Sequence, residues 1–125
     1  MSRFEERVQA LAAEAHEARA SFDPPDDPPA PDRALSHLQD GLAPVLSLYV
    51  EARTGDYVAF SEAEWVLLER ALNDWLECYA RCYGVAIDAE FSVREAAELL
   101  VETHDLRDTA QLLTRVPDRG EATKS

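Results

Sequence analysis

Lysine is almost missing from this chain. Of its twelve basic residues, Lys124 is the only lysine, and the rest are arginines. Cysteine is scarce as well. Cys78 and Cys82 are too few for the disulfide framework of a small secreted domain. A chain of 125 residues has no need of one, because it can bury about two-thirds of its unfolded surface without a cross-link or a structural metal. Long apolar runs are also lacking. The longest, Leu42–Val50, contains Pro44 and falls well short of the roughly 20 residues that a membrane helix needs. Glu5, Glu6 and Arg7 stand where a secretory signal would carry its apolar segment, so a cytoplasmic location with no membrane contact is expected. There is no P-loop, no H-E-x-x-H, no G-x-S-x-G and no bundle-type E-x-x-H. No catalytic residue and no cofactor are therefore expected, and the sequence reads as a non-enzyme.

What the chain has in excess is acid. Twenty-five carboxylates face twelve bases, for a formal net charge of −13. Such a chain repels itself in dilute buffer. At molar salt the Debye length falls to about 3 Å and the repulsion is screened. Acid-rich, lysine-poor composition resembles that of proteins from halophilic archaea. The resemblance implies a salt-rich cytoplasm and names an environment rather than an activity.

The central element is expected at 61–83. Ser61 and Glu64 spell a capping box, and Phe60 with Trp65 a hydrophobic staple across the helix start. Trp65, Leu68, Leu72, Trp75, Tyr79 and Cys82 follow at three- and four-residue spacing, which lays them on one stripe of a helix. Gly84 supplies the stop. Arg70–Asp74 and Glu77–Arg81 are placed to pair at i,i+4 on the wet side. Both tryptophans lie on this helix, so it should form the centre of the core.

The other segments read as its cover. Ser2 and Glu5 open a first helix over 3–21 with an alanine-rich face. Residues 23–32 hold five of the seven prolines and form a stiff extended spacer. Asp32 opens a second helix, in which Pro44 and the soft Gly41 predict a kink near 40–44. Gly55 closes that run, and Tyr57–Phe60 connects it to the central helix. Phe91, Ser92 and Glu95 repeat the staple-and-box wording, so a further helix starts at Val93. Asp105 caps a last one, which Pro117 ends. The expected fold is all-α: a single domain over 1–117, built as a five-helix bundle around one long central helix, with a disordered tail at 118–125.

Candidate chemistry is thin. Cys78 and Cys82 sit one helical turn apart. Their side chains are too far apart for a disulfide, at about 5–6 Å between Cβ atoms. With His104 or His37 they could supply three ligands to a metal, but the second cysteine pair of a zinc site is absent, and no bound metal is expected. As buried thiols they would act as small apolar groups. Tyr49, Trp75, Tyr79 and Tyr83, with Tyr57 nearby, could line an aromatic pocket, although aromatics at helical spacing more often fill a core.

Two family patterns touch parts of the chain. Glu14-x-x-Glu17 and Glu95-x-x-Glu98, with Glu102-x-x-Asp105, resemble the magnesium-binding carboxylate pairs of MazG-like nucleotide pyrophosphohydrolases, which would imply a small metal-dependent all-α enzyme. The order and separation of the pairs depart from that pattern. Ser92–Leu100 resembles the first helix of MerR-like regulators, which would make 91–117 a helix-turn-helix reading DNA through Arg94, Arg107 and Arg115. The turn glycine is missing and the segment is net negative, whereas DNA affinity rests mainly on neutralised phosphates. Nucleic acid is thus not the expected partner. The reading that remains is a helical protein-interaction or regulatory module, with a protein partner or a homodimer joined through the alanine-rich first helix.

Overall fold

The computed structural model of the protein describes residues 4–54 and 60–116. Its helices are α1 (Glu5–Ala20), α2 (Pro31–His37), α3 (Ala43–Thr54), α4 (Glu62–Cys82), α5 (Val93–Thr103) and α6 (Leu106–Thr114). A π turn over Leu38–Leu42 joins α2 to α3 without a break, so the second helical run is one element of the bundle. No strand occurs among the described residues. The fold is an all-α bundle around one long helix. Ser2, Gly55, Tyr57, Pro117 and the 118–125 tail lie outside the described residues.

α4 is the continuous rod that its sequence announces. Ser61 Oγ accepts the Glu64 amide at 3.1 Å, and Glu64 Oε1 accepts the Ser61 amide at 2.8 Å, closing the capping box. The Phe60 and Trp65 rings meet edge to face at 5.3 Å, and Phe4 of the first segment adds a third ring 6.1 Å from Phe60. At the far end Gly84 adopts a left-handed φ of 79°, and the Val85 amide reaches back to the Ala80 carbonyl at 3.1 Å. That is the Schellman stop, which only glycine reaches without strain. Leu68, Leu72, Trp75, Leu76, Tyr79 and Cys82 are all buried along the rod.

α1 lies along α4 more extensively than any other element. Val8, Ala12 and Ala15 point into that contact, their small side chains letting the two helices approach closely. The alanine face expected to join a second copy is therefore spent inside the bundle. α1 begins at Glu5 rather than residue 3, and Phe4 at its N-cap offers no side-chain cap.

The second run begins one residue earlier than expected. Pro31, not Asp32, takes the first helical turn, where its missing N–H is no loss. The expected kink is a π turn. The Ala43 amide donates to the Leu38 carbonyl, an i→i+5 bond that widens the helix by one residue. Pro44 then sits in the first turn of α3, and the widened geometry absorbs the donor it lacks. Gly41 is not merely soft. A Cβ there would fall inside the indole ring of Trp75, so glycine is what lets this turn lie flat on α4.

The polar side of α4 holds the clearest departure from expectation. Glu77 turns away from Arg81 and binds Arg19 of α1 at 2.9 Å. Its other oxygen accepts the Ala89 amide at 3.0 Å. One turn back, Asn73 takes the Phe91 amide on Oδ1 at 2.8 Å and donates Nδ2 to the Phe91 carbonyl at 3.0 Å. One turn further, Glu69 accepts the Val93 amide at 3.3 Å. Four residues of helix advance about 6 Å, and two residues of extended chain about 6.6 Å. The row 69, 73, 77 thus meets residues 93, 91, 89 in register. The connector between α4 and α5 is held like a strand, with helix side chains standing in for the neighbouring strand. Side chains that secure backbone donors shielded from water contribute more than exposed i,i+4 ion pairs, which is why Glu77 serves Arg19 and the connector rather than the predicted partner Arg81. The predicted Arg70–Asp74 pair does not close either, and Asp74 Oδ2 is left without a hydrogen-bond partner.

The last two helices follow their caps. Ser92 Oγ accepts the Glu95 amide at 3.1 Å, and Asp105 Oδ1 the Asp108 amide at 2.9 Å. His104 and Arg115 take left-handed conformations, φ 57° and 61°, at the ends of α5 and α6. α6 therefore stops at Thr114, before Pro117. Val116 is buried beyond it, and its carbonyl accepts the Tyr79 hydroxyl at 2.6 Å.

Candidate functional site

α3 and α5 run beside each other and leave a shallow groove between them, with a volume of about 360 Å³. From α3 come Tyr49, Val50 and Arg53; from α5 come Arg94, Ala97, Glu98 and Val101. The floor and walls are apolar. Val50 is 38% exposed and Val101 65% exposed, the latter the barest large apolar side chain among the described residues. Arginines rim the hollow. Arg53 lies over the Tyr49 ring, 5.7 Å from its centroid, and donates to the Tyr49 hydroxyl at 3.4 Å. Arg94 pairs with Glu98 at 3.0 Å on the open surface. Tyr49 itself is braced by Trp65, with ring centroids 5.7 Å apart. A second hollow of about 440 Å³ lies where Leu35 and Gln39 meet the α5–α6 corner at Leu100, His104, Asp105, Leu106 and Arg107.

The four aromatics expected to share a pocket are spread over three places. Tyr49 faces the groove and Trp65. Trp75 packs against His37 at 5.7 Å, and Phe22 lies 5.8 Å from the same imidazole. Tyr79 and Tyr83 stack on each other at 5.3 Å. Of the set, Tyr49 alone lines the groove.

The thiols are buried and free. Burial pushes the Cys78 thiol up to about 11, with Arg19 opposing and Cys82, Asp74 and Glu77 adding to the rise. Burial also raises Cys82, against the pull of Arg33. Both therefore rest as thiols, which are poor nucleophiles and poor ligands. His104 is exposed at the α5–α6 turn, and His37 is half-buried in contact with two rings. Among the described residues no three His, Cys, Asp or Glu side chains are grouped to hold a metal ion. Of the carboxylates in the pyrophosphohydrolase-like pattern, Glu14 and Glu17 are exposed on α1, Glu98 is engaged by Arg94, and Asp105 caps α6. The three arginines of the supposed DNA reader also part company. Arg94 rims the groove, Arg107 borders the second hollow and Arg115 ends α6.

One further polar cluster joins α1 to α4. Asp74 Oδ2 is buried and accepts no hydrogen bond. Burial and the neighbouring Glu77 raise its carboxyl above the usual range, while His16, Arg19 and Arg70 pull the other way.

Sequence reasoning missed the groove because its walls are made of valines that are out of phase. Val50 and Val101 fall outside the buried stripe of their helices. Such off-stripe valines were the signal to find it by.

These features define a small helical bundle with an open apolar groove. The chain belongs to the family described as a domain of unknown function (DUF8055), whose model matches residues 2–118. No curated protein and no solved structure matches it. No helix of the described residues is long and apolar enough to cross a membrane.

Proposed function

We propose that this chain is a non-enzymatic helical interaction module that works in a salt-rich cytoplasm, with the α3–α5 groove as its contact surface. The observation that carries the reading is the pair of exposed valines, Val50 and Val101, on opposite sides of one apolar hollow. Single exposed apolar side chains are ordinary; two that share a concave surface favour a contact site. The arginine rim supports the same choice. In a chain of net charge −13, a surface bearing Arg53 and Arg94 is where another acidic protein meets least repulsion. Molar salt screens the remaining repulsion. The composition supports the halophilic setting.

The test compares wild type with the Val50→Asp/Val101→Asp variant as bait in native lysate at molar KCl. Circular dichroism shows whether the variant keeps its fold. A partner held by wild type and lost by the variant is the expected result. Equal retention, or none by either, overturns the reading. Unfolding temperature measured against KCl checks the setting: a steep gain toward molar salt is expected, and a flat response contradicts it.

A further inference from the structure

We infer that the proline-rich crossing from α1 to α2 is a proton-sensitive strap: charging the His37 imidazole lifts Phe22 off the bundle and frees the strap at its α1 end, while the helices stay folded. The inference makes no use of the α3–α5 groove. It is carried by how the strap is held. Residues 21–30 cross from α1 to α2 outside any helix. At the far end the Ala30 amide donates to the Cys82 carbonyl at 2.7 Å, and Pro28 lies against Gly84. At the near end the half-buried Phe22 ring lies 5.8 Å from the His37 imidazole, and the Arg33 guanidinium sits 5.3 Å from the centroid of that ring. Arg33 also donates to the Asp23 carbonyl at 2.6 Å, on the exposed surface. The far end is thus fixed to the backbone of α4. The near end hangs on side chains gathered around one histidine.

His37 has no anion to hold it when charged. On its own run Arg33 stands one turn before it and Asp40 one turn after. The strap brings Asp23, which Arg33 engages through the carbonyl. α4 meets the imidazole with Trp75 at 5.7 Å. Cys78 and Cys82, further along that helix, are kept as neutral thiols by burial. Asp74 and Glu77 of α4 face His16 and Arg19 of α1 instead. Among the described residues no carboxylate pairs with His37. Burial first, then Arg33, accordingly holds its pKa below 6.5, against the pull of Asp40. An imidazolium here must regain water, because a buried charge without a partner is costly. Trp75 is only 6% exposed on the central rod and cannot move aside. Phe22, half-buried at the end of a strap, is the group that yields. Such local openings cost far less than global unfolding. The strap is therefore closed while His37 is neutral and opens as falling pH charges it.

Nuclear magnetic resonance of the full chain in molar KCl supplies the test, from about pH 8 to about pH 5, the range in which an imidazole charges. The cross-peaks between Phe22 and His37 should vanish with the midpoint of the His37 titration itself. Those between Phe60 and Trp65 should persist, which separates strap opening from unfolding. The linkage is reciprocal. Phe22→Ala should raise the His37 midpoint by about half a pH unit or more, the mirror image of a threefold loss of closure on protonation. His37→Phe should leave the Phe22 resonances independent of pH over the same range. Cross-peaks to Phe22 that survive the His37 titration overturn the inference. So does loss of the Phe60–Trp65 peaks in step with them, or a midpoint unmoved by Phe22→Ala.

Discussion

Replacing Gly41 with alanine sets two effects against each other. Helix propensity alone favours alanine by about 0.5–1 kcal/mol, because glycine loses more backbone freedom on folding. Packing opposes it. The new Cβ would overlap the six-membered side of the Trp75 indole. Trp75 is only 6% exposed, sits mid-way along the central rod and has His37 against its ring. Neither the ring nor the π turn can yield without moving other buried groups. Overpacking of this kind costs about 1–3 kcal/mol, and a direct overlap belongs at the upper end. Subtracting the propensity gain leaves Gly41→Ala destabilised by about 2 kcal/mol, or roughly 6–10 °C in Tm for a chain of this size. Guanidinium unfolding at molar KCl, followed by tryptophan fluorescence, measures it. The same substitution in a Trp75→Leu background should cost far less, because the clash is removed. A Gly41→Ala protein more stable than wild type, or an equal cost in both backgrounds, would refute the reasoning.

Tyr79→Phe removes the bond by which the Tyr79 hydroxyl holds the Val116 carbonyl in the core. A loss of about 1–3 kcal/mol is expected in the same unfolding assay; no change would mean that the latch contributes nothing. His37 sets a pH dependence. Burial first, then Arg33, lowers its pKa from 6.5, against a smaller upward pull from Asp40. The unfolded chain therefore takes up a proton before the folded one does. Stability should fall as pH drops through the window that opens near 6.5 and closes at the lowered folded value. His37→Phe should flatten that slope, and identical slopes in the two proteins would contradict it.

Much of the bundle was legible because helix signals are local. The box at Ser61 and Glu64, the stop at Gly84 and the caps at Ser92 and Asp105 each involve side chains within a few residues of the backbone they serve. What could not be read depends on which helix lies next to which. Arg19 is far from Glu77 in sequence, so nothing nearby shows that it outcompetes Arg81. Asn73 looks like a surface residue until the connector lies against it. Pro44 signalled disturbance correctly, but whether a helix breaks or widens depends on the neighbour it must stay packed on, here Trp75. The groove was hidden for a related reason. Its valines are ordinary on either helix taken alone and become a feature only when α3 and α5 stand side by side.

Everything described depends on α4 serving two faces, its apolar stripe as the core and its polar row as the support of the 89–93 connector. Amide hydrogen exchange read residue by residue tests this most directly. Ala89, Phe91 and Val93 donate to α4 side chains, so their amides should exchange slowly, while the Glu90 and Ser92 amides between them exchange fast. Asn73→Ala should release Phe91 above all. A uniform rate across residues 89–93, unchanged by that substitution, would contradict the account.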